Sequence, residues 1–343
     1  MAVLAYAENI ENPTVLLDAV KHIAIKHCTI DIRPEQYAIV GKHLLASIQE
    51  VLGEAATEEL VDAWAAAYGQ LAELLIGVES GIYASHTAQE NSWSGWRPYK
   101  VISRHQETPD TVSFELVPTD GGAVPAYLPG QFVSIRTYIK EQGIVQPRQY
   151  TLSRVSGRQP SLRITVKRIA NGVDPEGAMS SHLHRFVQVG DVLDVTAPTG
   201  DFVLKDSEKP VILITAGSGM TPISAMLGHI VDHTPNRSTT IICCAPDMDH
   251  LVLGEEVRKN AEKLSDAKAY IFLSRNSGAS RCPVVRNARL TAKALLNLNL
   301  NTESEVYLCG PVGFMNDINA ALIDLGFKRS QIHMEVFGTG TMA

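Results

Sequence analysis

A histidine aimed into an apolar layer is placed to bind a metal, and His27 has that setting. Leu16, Val20, Ile23 and His27 recur at helical steps of four, three and four, so aliphatic side chains and an imidazole share one face. His22 falls on the other face, with Asp18 and Lys26. One ring nitrogen of such a residue can ligate a metal while an acceptor holds the other. A core histidine satisfied by a backbone carbonyl produces the same pattern. Two later segments bear on the choice. Pro34 opens a helix whose stripe of Tyr37, Val40, Gly41, Leu44 and Ile48 turns the phenol inward, and Tyr68, Ala72, Leu75 and Glu79 place a carboxylate on an apolar face. A buried carboxylate needs a donor or a proton. The economical arrangement therefore brings Tyr37 and Glu79 to His27; the alternative leaves Glu79 exposed near its helix end.

Other residues suit nucleotides. In RQYTLS, Arg148 and Tyr150 point to one side of a strand, a cation for a pyrophosphate and an aromatic for a flavin ring. Both are also ordinary strand residues. Downstream, GAMSSHLH lets Gly177 to Ser180 open a short helix whose free N–H groups receive phosphate, and PTGDF, from Pro198 to Phe202, makes a tight turn. VILITAGSGMTP sets Gly217 and Gly219 after an apolar strand and before a helix starting near Thr221 and Pro222. Glycines there let the backbone approach a pyrophosphate, although the full G-x-G-x-x-G is lacking. YLCGPVGFM, from Tyr307 to Met315, puts Cys309, Gly310 and Pro311 at a strand end of the kind where α/β sheets bind ligands. A small buried thiol is the other reading of Cys309. The tail HMEVFGTG carries Glu335 and Phe337.

The elements that must position these residues divide the 343-residue chain, which is long enough for more than one core. Residues 1–84 read as helices, 85–96 as a polar, Trp-bearing linker, 97–205 as an antiparallel β-barrel, and 206–343 as alternating strands and helices of a doubly wound parallel sheet. The barrel strands are VISRH, TVSFELV, QFVSIRT, RQYTLS, LRITVKR and DVLDVTA, with a short helix around Met179 to Phe186. In the last part the strands are VILITAG, TTIICCA, KAYIFLS and EVYLCGP, with helices from Pro222, His250 and Val312. The five Cys show no C-x-x-C spacing, the N-terminus shows no leader pattern, and no apolar run reaches the roughly 18 residues of a membrane helix. These features predict a cytoplasmic protein without stable membrane insertion. A net charge of −7 with no clustered Lys/Arg stripe argues against nucleic acid as a partner. Apolar residues start at Val3, Leu4, Ala7 and Ile10 with no capping residue before them, which fits a helix cut in its middle or a frayed terminal one.

The segment KHCTIDIRPEQYAIVGKHLL resembles the globin part of flavohaemoglobins, and the ordered set RxYTLS, GxxS and PxGDF is similar to the FAD-binding barrel of the ferredoxin–NADP reductase superfamily. The resemblance spans essentially the whole chain and implies an all-α partial globin, truncated at its N-terminus, followed by the FAD barrel and an NAD(P)-binding α/β domain. It implies His27 as proximal ligand of haem b, with Tyr37 and Glu79 as its partners. The distal Tyr and Gln of the family have no counterpart, which leaves haem retention open. It further implies Arg148, Gln149, Tyr150, Thr151 and Ser153 at the flavin, Gly177, Met179 and Ser180 at its diphosphate, and Gly217, Gly219, Met220, Thr221 and Pro222 in the nicotinamide loop. Cys309, Gly310 and Pro311 would lie beside the nicotinamide, and Phe337 and Gly338 where it enters. Phe337 then acts as a movable lid or packs in a core. The activity implied is that of a nitric oxide dioxygenase, turning nitric oxide and O2 into nitrate with electrons from NADH or NADPH. A haem-free flavin reductase acting on ferric iron, quinone or oxygen, and a non-catalytic haem or nitric oxide sensor, are the alternatives. The expected ligands are small molecules, and the expected state is a monomer if the globin is complete, with association if it is truncated.

Overall fold

The computed structural model describes residues 2–169, 177–276 and 284–337. By contacts these form two compact units, one of residues 1–97 with Val195–Ala197, the other of Pro98–Asp194 with Pro198–Ala343. The first is helical: α1 (Ala2–Glu8), α2 (Leu17–Cys28), α3 (Pro34–Leu52) and α4 (Glu58–Ala88). Proline supplies the first position of α3, and the Gln36 side chain accepts from the Arg33 N–H at 2.8 Å. Thr57 caps α4 by accepting from the N–H of Leu60. Val20, Ala24, Tyr37, Leu71 and Leu75 form the core.

The inward stripe expected for α3 is narrower than its spacing suggests. Tyr37 and Gly41 are buried, but Val40 is 56 % exposed. The reason lies at Gly41, where a Cβ would stand 2.6 Å from the Tyr68 ring, so α3 and α4 meet along one tight line that excludes Val40. Helix α4 also continues to Ala88, into the stretch read as linker.

In the second unit, β1 (Arg97–Thr108), β2 (Thr111–Pro118), β3 (Phe132–Ile139), β4 (Ile144–Thr151), β5 (Leu162–Lys167), α5 (Ala178–Phe186) and β6 (Val192–Val195) come first. The strands form one sheet in the order β4-β3-β6-β1-β2-β5. Pairs β1–β2, β2–β5 and β3–β4 are antiparallel, and a bridge between Leu152 and Ile164 brings the two ends of the sheet together, making the barrel nearly closed. Phe114, Leu116, Ile135, Leu162 and Ile164 fill its interior.

There follow β7 (Val211–Ala216), α6 (Met220–His233), β8 (Thr239–Ala245), α7 (Gly254–Ala261), β9 (Ala267–Leu273), β10 (Val285–Arg286), α8 (Ala292–Leu296), β11 (Glu305–Cys309), α9 (Val312–Asp324) and β12 (Ile332–Glu335). The strands make a parallel sheet in the order β10-β9-β8-β7-β11-β12. Val211 and Leu213 face α6 and α7, while Ile212 and Ile214 face α8 and α9, so alternate residues of one strand serve two cores. The helix expected from His250 begins at Gly254 instead. Residues Met248–His250 form a separate 3-10 turn capped by the Asp247 side chain, and Leu253, at φ 51°, sets the break. Among the described residues no helix is long and apolar enough to cross a membrane.

Candidate active site

The helical unit gathers three polar side chains in an apolar core. The Tyr37 hydroxyl donates to Glu79 Oε1 at 2.5 Å, and His27 Nδ1 lies 2.7 Å from that oxygen and 2.9 Å from Tyr37 Oη. With the phenol proton directed at the carboxylate, Nδ1–H is the donor toward both. Glu79 is 2 % exposed, and its second oxygen has no partner among the described residues. Burial first, and the adjoining Glu79 second, push the Tyr37 phenol far above its ordinary value, so it stays a donor. Both described hydrogen bonds of the imidazole fall on Nδ1, so neither engages Nε2, on a side chain that is 31 % exposed. An imidazole fixed through one nitrogen by a carboxylate is the arrangement that suits an axial ligand of haem iron.

A cavity of about 290 Å³ lies in the second unit. Arg148, Gln149, Tyr150 and Thr151 of β4 line one wall; Thr165 and Lys167 of β5 line another. Gly177, Met179 and Ser180, at the start of α5, complete it with Ser218, Thr221 and Phe337. The Ser180 hydroxyl donates to the Gly177 carbonyl and accepts from the Ile169 N–H, and a Cβ on Gly177 would stand 2.7 Å from that hydroxyl. Two cations, an aromatic ring and a helix start converge here, as an anionic ring-bearing nucleotide requires. Ser153 is absent from the wall. It is fully buried, with its hydroxyl against Thr165 Oγ1 at 2.7 Å.

A second cavity, about 470 Å³, opens at the carboxyl ends of β7, β8, β9 and β11, where doubly wound sheets hold ligands. Gly217, Pro246, Ser274, Arg289, Pro311 and Asp317 line it. Gly217 has φ +57°, which its position in the loop requires. Gly219 has a packing role of its own: a Cβ there would lie 2.1 Å from the Cys309 carbonyl oxygen, so its bareness lets the loop pack on β11. Met220, Pro222 and Cys309 are buried behind the loop and Gly310 packs on Phe314, none of them lining either cavity. The Cys309 thiol donates to the Glu335 carbonyl at 3.5 Å, and burial raises it well above its ordinary value. Phe337 is 40 % exposed at the first cavity. Gly338 lies outside the described residues. Lys167, read from sequence as either added charge or a solvated cation, lines both cavities and pairs with Asp110 at 3.2 Å.

Three family models match in chain order: Globin over residues 2–75, Oxidoreductase FAD-binding domain over 98–204, and Oxidoreductase NAD-binding domain over 213–320. A flavohemoprotein of Bordetella pertussis is 46 % identical over 100 % of this chain and 85 % of its own length. The chain belongs to the flavohemoprotein family. A flavohemoprotein of Oceanobacillus iheyensis is 39 % identical over 98 % of the chain and 82 % of its own length. Among solved structures, flavohemoglobin from Malassezia yamatoensis, with bound FAD and heme, aligns with a TM-score of 0.84 at 28 % identity, covering 98 % of this chain and 84 % of that one. The FAD/NAD-binding domain of a nitric oxide dioxygenase from Vibrio cholerae aligns at 0.65 and 33 % identity, covering 71 % and 98 %. Globin, FAD-binding and NAD-binding parts thus occur in one flavohemoprotein chain, that of a haem, FAD and NAD oxidoreductase.

Proposed function

We propose that this flavohemoprotein is a nitric oxide dioxygenase, consuming nitric oxide and O2 to give nitrate at the expense of NADH or NADPH. The observation that carries the reading is the His27, Tyr37 and Glu79 cluster. A carboxylate that accepts from Nδ1–H makes Nε2 a strongly donating ligand, which favours oxygen activation over simple oxygen carriage. FAD supplies the conversion between a two-electron hydride donor and a one-electron haem acceptor.

The chain's own residues bind and align. In this reading Arg148 neutralises the flavin diphosphate with the start of α5, and Tyr150 and Thr151 flank the ring. Gly217, Pro311 and the strand ends around them would receive the nicotinamide nucleotide, and Phe337, on the wall of the first cavity, would shield the flavin site where that nucleotide enters. Lys167, on both walls, offsets negative charge where the two nucleotides meet. No side chain is needed as acid or base for hydride transfer; alignment and exclusion of water are the protein's contribution.

The test is purified protein given nitric oxide, O2 and NADH, with nitrate measured. Nitrate formed in step with NADH consumption, from material showing a Soret band and flavin bands, is the expected result. Flavin bands alone, with NADH-driven reduction of ferric iron or quinone, would instead make the chain a flavin reductase; haem without NADH consumption would make it a sensor.

A further inference from the structure

Arg163 is the second residue of β5 and is 6 % exposed, an unusual place for a guanidinium. Every arm of its fork is used. Nη1 donates to Glu256 Oε2 at 2.6 Å and Nη2 to Glu256 Oε1 at 2.9 Å, while Nε donates to Ser153 Oγ at 3.0 Å and Nη2 also reaches the Ser153 carbonyl. Glu256 belongs to the first turn of α7, on the parallel-sheet side of the unit, and its Oε1 accepts from Ser224 of α6 at 3.1 Å. Burial works to raise the Glu256 carboxyl, but the hydrogen bonds and charge of Arg163 outweigh it and hold the group below its usual range.

This bracket ends at the flavin cavity on both sides. On the barrel side, Ser153 Oγ meets Thr165 Oγ1, and Thr165 shares with Arg163 and Lys167 one face of β5; Thr165 and Lys167 line the cavity. On the other side, Ser224 lies one step of three residues beyond Thr221, which lines the same cavity. Through Glu256 and Ser224 this ion pair therefore ties the wall that would hold the flavin to the helix whose start would face the nicotinamide, while farther along α6 a second pair, Arg158–Asp232 at 2.7 Å, joins the same helix to the barrel part.

We propose that Arg163 and Glu256 are positioning residues for hydride delivery, fixing the separation and angle between flavin and nicotinamide without touching either. This rests on the assignment of the two cavities made above. A forked guanidinium–carboxylate pair fixes direction as well as distance, which an ammonium does not. Misplacement of reacting atoms by about 1 Å costs on the order of 10²-fold in rate, so the device belongs to the rate of the step rather than to capture of the nucleotide. A partly buried ion pair gains little net stability; orientation is what this one adds.

The experiment uses the whole 343-residue chain loaded with FAD and haem, reduced anaerobically by NADH or NADPH in a stopped-flow instrument, with the 4,4-dideuterated nucleotide as comparison. In Glu256→Gln, which keeps the shape, and Arg163→Lys, which keeps the charge, flavin content is expected to equal that of the unsubstituted protein. The limiting rate of flavin reduction falls tenfold or more, nucleotide Kd changes less than threefold, and the deuterium isotope effect rises as hydride transfer becomes more rate-limiting. If Arg163→Lys fails to fold, Glu256→Gln decides alone, supported by Ser224→Ala, expected to lose two- to fivefold. Limiting rates within twofold of the unsubstituted protein, or a loss confined to flavin content or Kd, overturn the proposal. An unsubstituted protein whose flavin neither nucleotide reduces would overturn the cavity assignment itself.

Discussion

At the scale of single residues, the chemistry is set by which protons are held and which are free to move. Replacing His27 by Ala removes Nε2 while leaving the second unit intact, so the Soret band is expected to vanish while NADH-driven dye reduction persists; equal loss of both would refute the division of labour. The thiols make a second prediction. Burial pushes Cys28 and Cys243 up to about 12 and carries Cys244 and Cys309 higher than their ordinary range. A raised value means the neutral thiol persists below it, so at pH 8 the nucleophilic thiolate is scarce. Iodoacetamide at pH 8 is expected to leave these four cysteines unlabelled in the native protein and to label them after denaturation, as peptide mass spectrometry will read. Rapid native labelling at Cys309 would show that its shelter under the Glu335 carbonyl opens in solution.

At the scale of elements, loops and strand ends do the positioning. Gly219→Ala puts a methyl onto the Cys309 carbonyl, and such overpacking costs roughly 3 kcal/mol, lowering the melting temperature of this unit by on the order of 10 °C. Calorimetry showing an unchanged transition would mean that the loop shifts freely. The sequence showed the alternation of strands and helices well, because apolar runs such as VILITA and EVYLC are buried along their length. It showed less where the left-handed residue at a break is not itself a glycine, as at Leu253, after which α7 starts later than the pattern from His250 suggests. The short strand Ile332–Glu335 also escaped a pattern reading, since its register is set by β11 rather than by its own alternation. In the site, the sequence already brought RQYT and GAMS together, and the structure places them on one cavity. The inward turn of Ser153 and the double duty of Lys167 were not, because both depend on which strand lies beside β4 and β5.

At the scale of the molecule, the separation into a helical unit and a larger one predicts separable functions. A chain starting at Arg97 is expected to fold, retain flavin and reduce dyes with NADH, without a Soret band; a colourless or insoluble product would show that the larger unit depends on the helices. The FAD/NAD-binding domain from Vibrio cholerae, which spans 71 % of this chain, has been solved on its own. The burial of thiols among the described residues bears on durability. An enzyme that handles nitric oxide in air works among nitrosating and oxidising species, and accessible thiolates are what those species modify. Under the proposed nitric oxide chemistry, Cys28, Cys243 and Cys309, buried and protonated, are sheltered from such species, so damage during nitrosative attack is expected to begin at other side chains than these three.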